Sequence, residues 1–513
     1  MAPSGPSIGA CEGRRRSTIF CPMSEARSIV RDGRVYAISN VINRAAGLVL
    51  LPVFTHVLSP AEFGRYTLVQ SMIDVLSVLG GLGLTGAMNR FYLAYPDDAQ
   101  MRNRVISTVL LMVLAVAALA VLLSWPLSLL LSRWLLGADE YAILCVIALI
   151  GLGCIALFEV ECAYAVVRKQ VRLYFALCCA KALGLIGCNV LFVVVLDMGV
   201  AGVLLATTTA MGVIASVTLV AILRRTGVHF VPSLARQLAV FGAPLVPSAL
   251  GSSALGLVER YYLNASVGAA AVGLYSLANR LASLLQMFIA APFSQTYSVR
   301  RVETLIKGED QKVFDRLLLL FVLIMSLGSL SLSVFGDDLI ALIAPGSYAL
   351  AVRLVPLLGL CYILASINFN LELGIHYSKR TWALPVITAT TLAASLPLNW
   401  WLSLQYGALG TALALLAVSV VRILTTLAMN ARFGSRDVRL DWGRALAIMG
   451  ATLVAALAWL ELQTPALHPA WMLAKAALVV GVGAMIVASP MLGRDARADL
   501  AGVWQRRPLA APT

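Results

Sequence analysis

The sequence predicts an all-α integral membrane protein of about fourteen transmembrane helices, set out as two pseudo-twofold-related six-helix lobes plus two extra C-terminal helices. Three observations predict it. First, of 513 residues 60% are hydrophobic and only 12% charged, with mean hydropathy +0.88, far from the roughly 25% charged of a soluble domain. Second, apolar runs of about 20 residues, the length a helix needs to cross a roughly 30 Å hydrocarbon layer, recur along nearly the whole chain. Strand-like alternation is absent, which excludes a membrane barrel. Third, the chain repeats itself. VGLYSLANR at 272–280 matches FGRYTLVQS at 63–71, carrying Gly64 onto Gly273 and Tyr66 onto Tyr275, and FNLELGIHYSKR at 369–380 matches FEVECAYAVVRK at 158–169, carrying Glu161 onto Glu372. Two units inserted the same way round imply a pseudo-twofold axis along the membrane normal, with a site between the lobes.

The net charge of +14 is explained by topology. Lys and Arg cluster at every second connection, at 14–34, 102–104, 168–172, 224–236, 300–316, 379–380, 432–444 and 494–507, whereas the other side holds little beyond Arg65, Arg133 and Arg353. By the positive-inside rule both termini are then cytoplasmic, and no nucleic-acid partner is implied. The nine cysteines have no metal spacing and read as small apolar fillers, so neither a metal nor a cofactor is expected.

In chain order, 1–34 is a polar, basic cytoplasmic tail without the short apolar core of a cleavable signal. Met23 opens MSEARSIVRDGRVY as an alternative start, which would leave the residues before it as an upstream extension. The N-lobe is expected over 35–225. Its first span carries Asn40, Asn43, Arg44 and Gly47 at i, i+3, i+4 and i+7, one helix face, and the asparagines beside Arg44 favour a cavity over snorkelling. Its second span aligns Gln70, Asp74 and Ser77. Asp74, a deep carboxylate, is a partner for Arg44 or a proton or cation site. In the fourth span Glu159 and Glu161 lie about 200° apart around the helix, so they face different neighbours, with Lys181 on the fifth span a partner for one of them.

A basic linker, 226–238, leads to the C-lobe, 239–430. Ser252, Gly256, Glu259 and Arg260 line one face of the seventh span; Ser276, Asn279, Arg280, Ser283 and Gln286 line one face of the eighth. An ionised side chain near mid-bilayer costs about 2.5–3.5 kcal/mol even on insertion scales. Two adjacent spans therefore present two guanidinium groups to one polar space. The repeat superposes the stripes of the two halves, Asn43 on Ser252, Gln70 on Asn279 and Ser77 on Gln286. The tenth span adds Asn368, Glu372 and His376, the last read as interfacial, and Pro385 and Pro397 predict local bends. Two further spans at 431–493 lie outside the repeat. Lys475 in the last has no partner in sequence, and 494–513 is a second cytoplasmic tail.

Through LPVFTHVLSPAEFGRYTLVQS and GLGLTGAMNRFY in the first half and ERYYLNASVGAAAVGLYSLANRL in the second, the chain resembles the Wzx-type repeat-unit flippases of the multidrug/oligosaccharidyl-lipid/polysaccharide (MOP) exporter superfamily, relatives of the lipid II flippase. The resemblance covers about 35–495 and rests on the spacing of small and polar residues. It implies a MATE-like and lipid II flippase-like fold whose first, second, seventh and eighth spans line a central cavity. The implied function is movement of an undecaprenyl-diphosphate-linked oligosaccharide, from O-antigen, capsule or exopolysaccharide synthesis, across a bacterial inner membrane by alternating access. The implied partners are that lipid, the bilayer, and a polysaccharide polymerase or export complex.

Carried onto this sequence, Arg44, Arg260 and Arg280 would take the diphosphate, because guanidinium is a permanently charged, bidentate donor. Asn40, Asn43, Asn279, Gln286, Tyr261 and Tyr275 would meet the sugars. Asp74, Glu161, Glu259 and Glu372 are the ion-coupling candidates, and they keep open a second reading, a cation-coupled drug or metabolite antiporter of the same superfamily. A membrane polymerase or glycosyltransferase is a third, disfavoured by short outer connections and by the lack of an Asp/His cluster or phosphate loop. No catalytic residue is expected.

Overall fold

A computed structural model describes residues 23–81, 83–307, 312–377, 380, 382–433, 440–462 and 466–492, with no strand among them. Helix α1 (Met23–Val57) extends the first span back into the segment expected as a tail. Helix α2 (Pro60–Gly81) starts on a capping box: the Glu62 N–H donates to Ser59 Oγ at 3.3 Å and the Ser59 N–H to Glu62 Oε2 at 2.9 Å, with Pro60 at the first helical position, where its missing N–H costs nothing. After α3 (Leu84–Leu93), α4 (Ala99–Leu136) opens on Asp98, whose Oδ1 accepts the Met101 N–H at 2.8 Å, and closes on Gly137 at φ 77°. Helices α5 (Ala142–Val167), α6 (Val171–Asn189, continued by a π-helical turn, Val190–Val195) and α7 (Gly199–Thr226) complete the first lobe.

Helix α8 (Pro232–Gly242), much of it within the expected linker, meets α9 (Val246–Val267) at a 55° bend and packs on α3 and α4. Then come α10 (Ala269–Leu285), a π-helical turn (Gln286–Ala290) and α11 (Ala291–Lys307), followed by α12 (Lys312–Val334) and α13 (Gly336–Ile343). A 3-10 segment (Gly346–Leu354) leads into α14 (Val355–Tyr377). Helix α15 (Ala383–Phe433) holds two spans that meet at Gly407, φ 57° and ψ −131°, a conformation open to glycine and strained for other residues. Helices α16 (Trp442–Glu461) and α17 (Pro469–Ala488) follow.

Ten helices among the described residues are long and apolar enough to cross a membrane, eleven with the bent pair. Hydropathy undercounts the passes for a physical reason. α15 contains two spans in one helix, α1 is apolar only over Val41–Val57, and the polar stripe that makes α10 interesting also lowers its hydropathy. Counting these as well gives about fourteen passes among the described residues, as the sequence predicts.

The packing is asymmetric across the membrane. One hydrophobic core joins both lobes on the side away from the basic connections, with Leu58, Phe63, Leu135, Val200, Leu263, Ala271, Ile340 and Tyr348 in a single cluster. On the basic side there are two separate cores, one around Leu110, Tyr164, Leu177 and Leu238, the other around Leu285, Phe314, Phe321 and Ile423. Polar stitches reinforce the joined end: the Tyr348 hydroxyl donates to Leu58 O at 2.8 Å, Asn264 Nδ2 to Leu135 O at 3.1 Å, and Thr55 Oγ1 to Ile343 O, while Tyr261 stacks on Trp134 at 4.9 Å.

The two lobes touch most closely where α2 crosses α10. A Cβ added at Gly64 would lie 1.8 Å from Ala269 O, and one at Gly273 would lie 2.0 Å from Pro60 O. Gly64 and Gly273, like Pro60 and Ala269, are the same residue of the repeat taken from each half, so the crossing lies on the pseudo-twofold axis. Three residues along, Ser276 Oγ donates to Thr67 Oγ1 at 3.0 Å across a sequence separation of 209, again one repeat position meeting itself. Small residues let the backbones approach, and the hydroxyl pair satisfies itself where no water competes.

A charged chamber between the lobes

Next to this crossing the two C-lobe arginines come together. Arg260 Nη1 donates to Gly256 O at 2.9 Å and its Nε to Ser276 Oγ at 3.3 Å, so this guanidinium is tied to the hydroxyl pair on the axis. The Arg280 guanidinium stands 6.0 Å from the centre of the Phe63 ring of α2 and makes no hydrogen bond to protein among the described residues, which leaves its donors free for a ligand. Both are half-buried, and both lie within Coulombic reach of Asp74 on α2, an exposed carboxylate that accepts from Gln70 Nε2 at 3.0 Å. Asp74 in turn feels Glu159 of α5, and Glu159 feels Lys181 of α6. A chain of electrostatic neighbours thus runs across five helices, from Arg260 and Arg280 through Asp74 to Glu159 and Lys181.

The charge is unevenly shared. Shifted by the same 209 residues, Arg260 and Arg280 fall on Leu51 and Ser71, and Asp74 falls on Ser283. The C-lobe wall is therefore basic and the N-lobe wall mixed, on a scaffold that is otherwise symmetric.

The other residues singled out by sequence are placed differently. Tyr275 is fully buried, its hydroxyl donating to Glu259 Oε2 at 2.9 Å, so this pair closes on itself within the helix packing and turns neither group to the chamber. Glu372 accepts from Arg422 at 3.0 Å and from Asn368 Nδ2 at 2.7 Å, an interhelical ion pair of α14 and α15. Glu161 is fully buried, and neither carboxylate oxygen has a hydrogen-bond partner among the described residues. The repeat supplies a reason: Glu161 is 211 positions before Glu372, and the same shift takes Arg422 back to Met211, so the N-lobe keeps the acid and lacks the base. Glu159, rather than the ion-coupling candidate Glu161, is the acid within Coulombic reach of Asp74 and Lys181. Its signal was present in sequence, since only one of two carboxylates about 200° apart on a helix can face Lys181.

Asn43 donates to Cys178 Sγ at 3.1 Å, between α1 and α6, with its Oδ1 buried and unpartnered among the described residues. Asn279 accepts from the Tyr362 hydroxyl at 3.2 Å, and Gln286 is exposed further along the same stripe. The side chains of Asn40 and Arg44 lie outside the described set. Lys475, which has no partner in the sequence reading, is fully buried and donates to Asp338 Oδ2 at 2.6 Å.

Two repeat-related helical lobes, built from membrane-crossing helices and meeting at α2 and α10, define a multi-pass membrane protein of internal-repeat architecture. The chain belongs to the polysaccharide biosynthesis protein family, whose model matches residues 29–297. Among solved structures, the lipid II flippase MurJ in an inward closed conformation is similar at a TM-score of 0.70 and 12% identity, over 91% of this chain and 99% of that one. An inward-facing MATE multidrug resistance transporter of the MOP superfamily gives 0.60 and 15%, over 77% and 96%. A MOP superfamily transporter from Pyrococcus furiosus gives 0.54 and 14%, over 79% and 92%. At these identities the likeness is one of fold. No curated protein matches the chain. Family and fold together make it a polysaccharide biosynthesis protein with the fold that MurJ and the MATE transporters share.

Proposed function

We propose that the protein moves a polyprenyl-diphosphate-linked oligosaccharide, undecaprenyl diphosphate in a bacterial inner membrane, from the cytoplasmic to the outer leaflet during O-antigen, capsule or exopolysaccharide assembly. The observation that carries this is the placement of Arg260 and Arg280 beside the lobe crossing, both within Coulombic reach of Asp74, with the Arg280 donors uncommitted. A diphosphate leaving water needs charge-assisted, preferably bidentate donors to offset its desolvation, and two guanidiniums supply them. Asp74, within Coulombic reach of both arginines, offsets part of their mutual repulsion when no substrate is present. The lobes, joined at one end and separately cored at the other, give a gap open toward the basic, cytoplasmic side, where lipid-linked precursors are made. In this reading residues 35–225 and 239–430 are the rocking lobes, both termini are cytoplasmic, and a polymerase or export complex takes the product.

The antiporter alternative needs a chamber dominated by carboxylates. Glu372 is committed to Arg422, Glu259 to Tyr275, and Glu161 is enclosed, which leaves Asp74 facing Arg260 and Arg280, and Glu159 facing Lys181. That balance favours an anionic headgroup.

The R260A/R280A double variant should reach the membrane at wild-type level, lose surface polysaccharide by at least about 100-fold, which is about 2.7 kcal/mol at the rate-limiting step, and accumulate lipid-linked precursor, all measured in cells whose own copy is deleted. Normal polymer from the double variant would reject the reading.

A further inference from the structure

A second cavity, of about 210 Å³, lies beyond the chamber in the C-lobe, bounded by the π-helical turn Gln286–Ala290, the start of α11 and the face of α14. Gln286, Ser294, Gln295, Ser298 and Ser366 supply its polar lining and Phe369 its aromatic one, and no charged side chain lines it among the described residues. From this, resting on the lipid-linked oligosaccharide reading, we infer that the cavity is a neutral glycan subsite, which holds a sugar ring of the substrate while the diphosphate sits at Arg260 and Arg280.

Position supports it. Gln286 is the last member of the stripe that carries Arg280, six residues on, or about 9 Å along a helix rising 1.5 Å per residue. On α14, Tyr362 bonds Asn279, while Ser366 and Phe369, four and seven residues further, line the cavity beside Gln286. The cavity therefore continues the wall of the chamber along one pair of helices. The spacing matches a headgroup whose sugars follow directly on its phosphates.

Chemistry selects the ligand class. A phosphate would require charged donors, and none lines the cavity among the described residues. A prenyl tail would require a long, uniformly apolar groove, whereas this cavity is short and mixed, with amides or hydroxyls on five of its side chains. Those groups both donate and accept, which suits sugar hydroxyls, and the half-exposed Phe369 ring offers a flat apolar face for the C–H side of a pyranose. Behind the wall, the buried Asn370 donates to Ser366 O at 2.8 Å and Ser294 Oγ at 3.4 Å and so braces two of the lining residues. The π-helical turn adds a break in regular helix hydrogen bonding at the cavity edge, a feature that recurs at ligand sites.

The test uses the full chain in lipid nanodiscs and native mass spectrometry with two probes: bare undecaprenyl diphosphate, and the lipid-linked oligosaccharide extracted from cells lacking this chain. Wild type should hold the sugar-bearing lipid at least tenfold more tightly than the bare one. The F369A/Q295L variant, which changes two exposed positions, should bring that ratio close to one by weakening only the sugar-bearing probe, whereas R260A/R280A should weaken both probes and keep the ratio. A wild type that holds both probes equally, or an F369A/Q295L variant that keeps the preference, overturns the glycan subsite and leaves the diphosphate site standing. Unchanged binding of both probes by R260A/R280A overturns the functional reading itself.

Discussion

Replacing Gly273 with valine should remove the folded protein from the membrane almost entirely. Its first side-chain carbon would lie 2.0 Å from the Pro60 carbonyl oxygen, and the symmetry-related change at Gly64 would put one 1.8 Å from Ala269 O. The obstructing atoms are backbone, held by their own helices, so neither side can yield as a flexible side chain would. Overpacking costs about 1–3 kcal/mol where side chains can shift, and this crossing offers no such relief, so the loss should exceed that range. The check is the amount of full-length protein in membranes and its thermal unfolding in detergent. Gly47→Ala is the control: a Cβ there meets nothing within 4 Å, and both readouts should stay at wild-type values. Normal levels and a normal melting point for Gly273→Val would show that the lobes do not meet on this axis.

The second large effect belongs to Asp338. Its carboxylate accepts from the buried Lys475 ammonium at 2.6 Å and from the Leu467 N–H at 2.6 Å, and so ties the last helix to the C-lobe. Asp338→Ala strands a buried charge, a change that costs about 3–5 kcal/mol. Asp338→Ala combined with Lys475→Met should recover most of the loss, because deleting both charges removes the stranded one. A melting temperature for Asp338→Ala equal to wild type, or a double variant no better than the single, would show that the pair does not hold α17 in place.

What sequence made legible follows from the range of each interaction. The repeat was visible because it is a copy, and it led directly to Gly64, Gly273, Thr67 and Ser276, which meet across the axis. The stripe on α10 was visible because helix periodicity places Ser276, Asn279, Arg280 and Gln286 on one face regardless of what that face meets. Partners distant in sequence were not visible. Nothing local joins Lys475 to Asp338 or Glu372 to Arg422, and Tyr275 looks like a sugar platform until its hydroxyl is found on Glu259. The choice between Glu159 and Glu161 turned on which helix packs on which side of α5, which period alone does not say. Nor could the sequence display a cavity behind Gln286, because its walls come from two segments some 70 residues apart.

The most direct test of the central claim follows the glycan across the membrane. In spheroplasts, a membrane-impermeant oxidant such as periodate modifies only lipid-linked oligosaccharide that has reached the outer leaflet, and the remainder is counted by mass spectrometry after extraction. With wild-type protein most of the pool should be modified, and with R260A/R280A, present at equal membrane level, it should stay intact on the inside. An equally modified pool without the two guanidiniums would mean that the charged chamber between the lobes is not the path of the substrate.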